Sequence, residues 1–155
     1  MQFDIIAVGT KMPRWVQEAY TEYEKRLPKE WTPRLKELPL AHRGKSTNDE
    51  RVRELEAQHI RNALPRQAHI LALDVRGETW STEQLATQMA QWRLSGKALA
   101  LIIGGPDGLA PELLSAAHQR WSLSALTLPH PLVRVVLIEQ VYRAWTILQN
   151  HPYHK

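Results

Sequence analysis

Apolar residues in this chain concentrate in short runs separated by longer stretches of mixed character. Gln2–Val8, His69–Leu73 and Ala98–Ile103 are such runs, closed by Gly9, by Asp74 and by Gly104-Gly105. Runs of that length without polar alternation predict strands buried on both faces, as in parallel sheets covered by helices. Arg34–Leu40 differs: Leu35, Leu38 and Leu40 are interleaved with charges, and Pro39 cannot donate to a ladder, so this segment predicts an edge strand. Ser122–Leu128 reads as a strand or an extended loop.

Between these runs the period changes to that of a helix. Pro13 suits a first turn, and Trp15, Ala19, Tyr23 and Leu27 then recur at helical spacing over Arg14–Leu27. The steps Leu27-Pro28 and Thr32-Pro33 stop that helix. Asn48 or Asp49 caps a second, reaching about Leu64. Ser81-Thr82-Glu83-Gln84 fits a capping box for a third, which ends near Ser95-Gly96. A short helix is expected over Pro111–Gln119 and a long one over Leu132–Gln149. Such alternation predicts one α/β domain over residues 1–155, with a mostly parallel sheet and helices on both faces. In the last helix Leu137, Val141, Trp145 and Leu148 form a stripe flanked by Val133, Ile138 and Ala144. Val135, Val136, Tyr142 and Ile147 lie outside it. Apolar residues nearly all round a helix imply burial on more than one side. A second copy of the chain is the expected cover, giving a homodimer.

The chain has no cysteine among its 155 residues, which excludes disulfides and thiolate metal sites and makes a reducing cytoplasm the expected setting. No signal peptide is visible and no apolar run approaches the length of a membrane span. A net charge of +4, from 20 Lys+Arg against 16 Asp+Glu, permits attraction to phosphate without demonstrating it.

In an open α/β sheet, ligands bind beyond the carboxyl ends of strands. Three such exits stand out: Leu73–Gly77, Ile103–Gly108 and Leu123–Pro129. Their glycines allow close backbone approach, and the third is apolar enough to wall an adenine. Taken singly, each is also compatible with an ordinary strand or strand exit. Neither G-x-G-x-x-G nor G-x-x-x-x-G-K-[ST] is present, nor is G-x-S-x-G, and no metal-ligand spacing occurs, so no metal is expected. Arg134 lies within the apolar stripe, where a charge must snorkel, pair or bind an anion. Glu139 and Arg143 form an i,i+4 pair. His130, between two prolines, precedes a helix start, where backbone donors can hold an anion; it is equally a turn residue. Asn150–Lys155 packs two imidazoles, a phenol and an ammonium into one short segment.

The string 121–134, WSLSALTLPHPLVR, resembles the signature of the RlmH family, the large-subunit pseudouridine methyltransferases of the SPOUT superfamily. The resemblance extends to 7–13 (AVGTKMP), 101–108 (LIIGGPDG), 142–145 (YRAW) and 150–154 (NHPYH), and spans essentially the whole chain; Trp31–Glu54 is less distinctive. It implies a C-terminal trefoil knot that binds S-adenosylmethionine through Leu73, Gly104, Gly105, Leu123, Ser124, Ala125, Leu126, Thr127 and Leu128. It implies a homodimer that sets the knot of one subunit against the tail of the other. The implied substrate is the pseudouridine numbered 1915 in helix 69 of 23S rRNA, methylated at N(3) in the assembled ribosome.

Transfer to an imide nitrogen requires loss of its proton, either to a base or with a cation stabilising the anion that develops. His130, Arg143, Tyr153 and His154 are the candidates, with Lys155 behind them, and Tyr153 and His154 are expected from the partner subunit. Lys11, Arg14, Arg43, Lys45 and Arg51 are candidate phosphate contacts, each equally readable as solvated surface. Two rival readings are a non-catalytic ribosome-binding factor on the same basic surface and a Rossmann-like enzyme acting on a small nucleotide. The first is separated by whether the chain binds S-adenosylmethionine; the second lacks its fingerprint.

Overall fold

A computed structural model describes residues 1–41 and 48–154. Its sheet has five strands: β1 (Phe3–Val8), β2 (Arg34–Leu38), β3 (His69–Thr79), β4 (Leu99–Ile103) and β5 (Gln119–Ser122). Their order is β2-β1-β4-β3-β5 and every pairing is parallel. Five helices connect or follow them: α1 (Arg14–Glu24), α2 (Asp49–Ala63), α3 (Thr82–Ser95), α4 (Pro111–Ala116) and α5 (His130–Leu148). Short 3-10 turns span Lys29–Trp31 and Pro152–His154.

The adjacent interior strands β1 and β4 are buried throughout, which is why their sequences show no polar alternation. Successive side chains still divide between two cores. Phe3, Ile5 and Ala7, with Leu99, Leu101 and Ile103, pack under Tyr20 of α1, Leu85 and Met89 of α3, and Leu137, Ile138 and Val141 of α5. Ile6, Val8, Ala100 and Ile102 pack beneath Ala57 and Ile60 of α2 and Leu113 of α4. Helices thus cover both faces, as the sequence predicts.

The expected edge strand is at the edge. Its cations have a specific task, because Asp4 of β1 is fully buried and receives Arg34 at 2.9 Å and Lys36 at 2.8 Å. Burial alone would raise the Asp4 pKa; the bonds from Arg34 and Lys36 outweigh it and hold the carboxyl below the usual range.

The caps form where expected. Ser81 and Gln84 make the reciprocal capping box, Gly96 closes α3 at φ +69°, and Asn48 accepts from Arg51 N–H at 2.7 Å. Among the described residues no helix is long and apolar enough to cross a membrane.

Several boundaries differ from expectation: α1 ends at Glu24 and not at Leu27, β2 ends at Leu38 and not at Leu40, and α5 begins at His130 and not at Leu132. The helix predicted over Pro111–Gln119 stops at Ala116, and the strand lies at Gln119–Ser122. Gln119 is claimed by tertiary bonds: its carboxamide oxygen meets Trp92 Nε1 at 2.8 Å and His69 Nε2 at 2.7 Å, and its amide donates to Gln88 at 2.9 Å. Leu123–Leu128 is consequently an irregular connection. Strand β3 runs on past Leu73 to Thr79 through a bulge, so that Trp121 registers with both Leu73 and Glu78. Gly77 makes this possible. A Cβ there would sit 2.6 Å from the carbonyl carbon of Arg120, so β5 can pass only over a bare backbone. Gly77→Ala should therefore destabilise the protein by about 1–3 kcal/mol, read as a lower urea midpoint at unchanged slope.

Candidate active site

The three strand exits converge. Beyond the carboxyl ends of β4 and β5, and beside the bulge of β3, lies a cavity of about 420 Å³, within the range of small-molecule sites. Leu73, Ile103, Leu123, Leu126, Leu128 and Val133 give it apolar walls; Asp74, Asp107, Ser122, Ser124 and His130 add polar points. Of the predicted cofactor residues, Leu73, Gly104, Gly105, Leu123, Ser124, Leu126 and Leu128 line it. Ala125 and Thr127 do not; both are exposed.

The glycine loop folds on itself. Gly105 and Gly108 form an antiparallel bridge, with Gly108 N–H donating to the Gly105 carbonyl at 2.9 Å. A Cβ on Gly104 would stand 2.7 Å from the carbonyl carbon of Gly108, a backbone atom that cannot step aside. The 123–128 segment is shaped by serines: Ser122 Oγ donates to the Ser124 carbonyl at 2.9 Å, and Leu126 N–H donates to Ser124 Oγ at 3.0 Å. Trp121 also lines the cavity, and its indole N–H is buried with no hydrogen-bond partner among the described residues.

His130 stands at the first residue of α5 on the cavity wall. Behind it, Arg134 is 2% exposed. Of its three expected fates, pairing is the one realised. It donates to the Gly9 carbonyl at 2.7 Å, to His130 Nε2 at 3.3 Å and to the Glu37 carboxylate. Burial, and then the neighbouring Arg134 charge, push the His130 pKa below its ordinary value.

The other catalytic candidates lie elsewhere. Tyr153 O–H donates to Glu139 Oε2 at 2.9 Å, and Arg143 meets the same oxygen through Nε at 3.0 Å and Nη2 at 2.8 Å. The Arg143 guanidinium lies 4.8 Å over the Tyr153 ring, which stands edge-on to Tyr142 at 4.7 Å. Burial and the Glu139 bond push the Tyr153 hydroxyl up to about 12, so it stays protonated at neutral pH. His154 Nδ1 is 2.9 Å from the His151 carbonyl. None of Arg143, Tyr153 and His154 lines the cavity. At 1.5 Å per residue, His130 and Arg143 are separated by roughly 20 Å along α5. One chain alone therefore does not bring the two groups together.

Among the candidate phosphate contacts, Lys11 is exposed on the loop after β1, at φ +57°. Arg14 pairs with Glu18 at 2.8 Å and Arg51 with Glu54 at 3.6 Å, all four exposed. Arg43, Lys45 and Lys155 lie outside the described residues. Sequence reasoning missed Glu37 and Gly9 as the partners of Arg134. They are 97 and 125 residues away from it, and no local pattern marks them.

Comparison with known proteins adds the family. Residues 1–154 match the family model described as "Predicted SPOUT methyltransferase". Two similar curated proteins are called ribosomal RNA large subunit methyltransferase H. The one from Saccharophagus degradans is 57% identical over 155 residues, covering all of both chains. The one from Teredinibacter turnerae is 55% identical over 158 residues, again covering both fully. Among solved structures, "a probable methylase family protein" from Haemophilus influenzae Rd KW20 superposes with a TM-score of 0.57 at 12% identity, over 99% of this chain and 70% of that one. TrmJ from Zymomonas mobilis (Z. mobilis ZM4) does so at 0.51 and 16%, over 98% and 72%. At those identities the structures speak for the fold, whereas the curated relatives match from end to end. The chain belongs to the RlmH family of SPOUT methyltransferases.

Proposed function

We propose that this protein is an S-adenosylmethionine-dependent methyltransferase that acts, as a cytoplasmic homodimer, on N(3) of pseudouridine 1915 in helix 69 of 23S rRNA within the assembled ribosome. The observation that carries this reading is the cavity of about 420 Å³ where three strand exits meet, in a chain 57% identical to a ribosomal RNA large subunit methyltransferase H.

The residues present suit the cofactor. Leu73, Leu123, Leu126 and Leu128 offer apolar walls for an adenine, and the Gly104-Gly105 backbone can approach a ligand without side chains intervening. Asp74 and Asp107 add carboxylates for its polar groups. When bound, the cofactor supplies a sulfonium-activated methyl group. The protein's own contribution is to hold the imide nitrogen in line with that methyl and to manage the proton it loses.

The separation of His130 from Arg143, Tyr153 and His154 supports a composite site, with the cavity of one subunit closed by the tail of its partner. Val75 and Leu126, cavity-lining residues that are 67% and 72% exposed, give the cavity an apolar rim suited to that contact. We extend the same reading to the path of the chain, taking its C-terminal half to be threaded as the family's trefoil knot. Lys11, Arg14, Arg43, Lys45 and Arg51 are then phosphate contacts. The exposed pairs Arg14–Glu18 and Arg51–Glu54 contribute about 0–1 kcal/mol each, so both arginines can exchange partners for RNA at little cost.

Titration calorimetry with S-adenosylmethionine tests the cofactor. Saturable heat that disappears in Leu123→Asp is expected. An absence of heat would contradict the reading and favour a non-catalytic ribosome-binding factor.

A further inference from the structure

One buried guanidinium joins the cavity to the edge of the sheet. Arg134 takes the Gly9 carbonyl from the loop after β1, the Glu37 carboxylate from β2, and His130 Nε2 from the first turn of its own helix. Gly9 permits this convergence. Its φ of +129° is a backbone conformation that favours glycine, and a Cβ there would be in ordinary contact with His130 and Arg134.

The chemistry of that contact fixes a proton. A guanidinium only donates, so the nitrogen it touches must be the one carrying the lone pair. With Nε2 accepting, the neutral imidazole bears its hydrogen on Nδ1. Among the described residues Nδ1 has no protein partner, and the ring lines the cavity. We propose that Arg134 is a positioning residue that locks His130 in the Nδ1–H tautomer, so that His130 presents a hydrogen-bond donor to an acceptor oxygen of the cavity's ligand and does not act as a base.

The charged groups near the ring act in opposite directions, and the balance favours the neutral form. Arg134, on the same helix, opposes a second proton at Nε2, as does burial of the ring, whereas Glu37 across from it favours one. Glu37 is already engaged by Arg134, so its attraction is largely spent there. Asp74 and Asp107 line the same cavity. As a donor, His130 suits a nucleobase carbonyl or a carboxylate, and proton removal from the imide falls to other groups.

The inference rests on the proposed reading for the identity of the ligand, but the tautomer is a property of the free protein and can be measured there. Two-bond nitrogen–proton NMR of the wild-type histidine rings reports it, with His130 assigned by the signal missing in His130→Asn. The expected pattern is an Nδ1–H ring whose midpoint lies below that of an ordinary imidazole. An Nε2–H ring, or a midpoint at or above the usual one, would overturn the proposal. Arg134→Gln should raise the midpoint and mix the tautomers; an unchanged ring in a folded Arg134→Gln protein would also overturn it.

Turnover supplies a second readout. Asn places its amide N–H where Nδ1 was, and Gln places it where Nε2 was. His130→Asn should stay within about tenfold of wild-type kcat, while His130→Gln loses about 100-fold, the usual cost of one preoriented donor. Equal losses in the two variants would refute the donor role. If wild-type protein shows the expected tautomer yet transfers no methyl group, the functional reading fails and the tautomer lock stands.

Discussion

Removing Asn150–Lys155 should reduce methyl transfer by about 1,000-fold or more, in the range expected for loss of acid–base groups, while leaving the affinity for S-adenosylmethionine within about twofold, since one bound-state contact more or less would change it further. The two effects separate because the tail makes no part of the cavity in its own chain. Tyr153 is instead moored to Glu139, with the Arg143 guanidinium over its ring and Tyr142 edge-on to it, all three on α5. Calorimetry and a transfer assay on the same preparation measure both quantities. A complementation experiment then asks whose tail serves which cavity. If the site is shared, mixing tail-deleted subunits with subunits carrying Gly104→Ala, at a cofactor concentration that fills the wild-type cavity but leaves the Gly104→Ala cavity largely empty, should restore roughly a quarter of wild-type turnover, because half of randomly paired two-fold dimers hold one intact composite site. No recovery in demonstrably mixed dimers would mean that each chain uses its own tail.

Gly104→Ala should lower affinity for S-adenosylmethionine by roughly 10- to 100-fold, which is the effect of about 1–3 kcal/mol of overpacking expressed at the binding loop. The clash is with backbone: the new Cβ would meet the Gly108 carbonyl carbon at 2.7 Å, its oxygen at 2.8 Å and Leu109 N at 2.9 Å. The loop can relieve this only by opening the Gly105–Gly108 bridge and displacing the cavity floor. Gly108→Ala is the contrast. Its Cβ would meet nothing within 4 Å, and only the left-handed φ of +78° is unfavourable, a cost of about 1–2 kcal/mol without direct collision. The larger affinity loss should therefore fall on Gly104. Thermal denaturation of the two variants, run alongside the calorimetry, separates loop effects from global destabilisation.

What could be read from the sequence follows the range of the interactions involved. Strands β1 and β4 were legible because burial on both faces writes a run of apolar residues, interrupted in β1 only by Asp4. The ends of α3 were legible because a capping box and a left-handed glycine act within a few residues. The three strand exits were legible as a site for the same local reason. Leu123–Leu128 shows where the pattern leaves two readings open, a strand or an extended loop. The second is realised: Leu123, Leu126 and Leu128 are apolar because they wall a cavity, while Ala125 and Thr127 are exposed. The true strand, Gln119–Ser122, looks polar, since Gln119 satisfies Trp92, His69 and Gln88 from other elements. Arg134 was visibly out of place on its helix. Which groups would claim it was not visible, because Gly9 and Glu37 reach it only through the parallel packing of β1 and β2. The tail was dense in chemistry on paper; that it lies against α5, far from its own cavity, is a tertiary fact.

The most direct measurement is mass spectrometry of 23S rRNA from cells with and without this protein, focused on the helix 69 fragment. A single methyl group on pseudouridine 1915, lost when the protein is deleted and restored by wild-type protein but not by the tail deletion, is the predicted result. A fragment of unchanged mass in the deleted cells would contradict it.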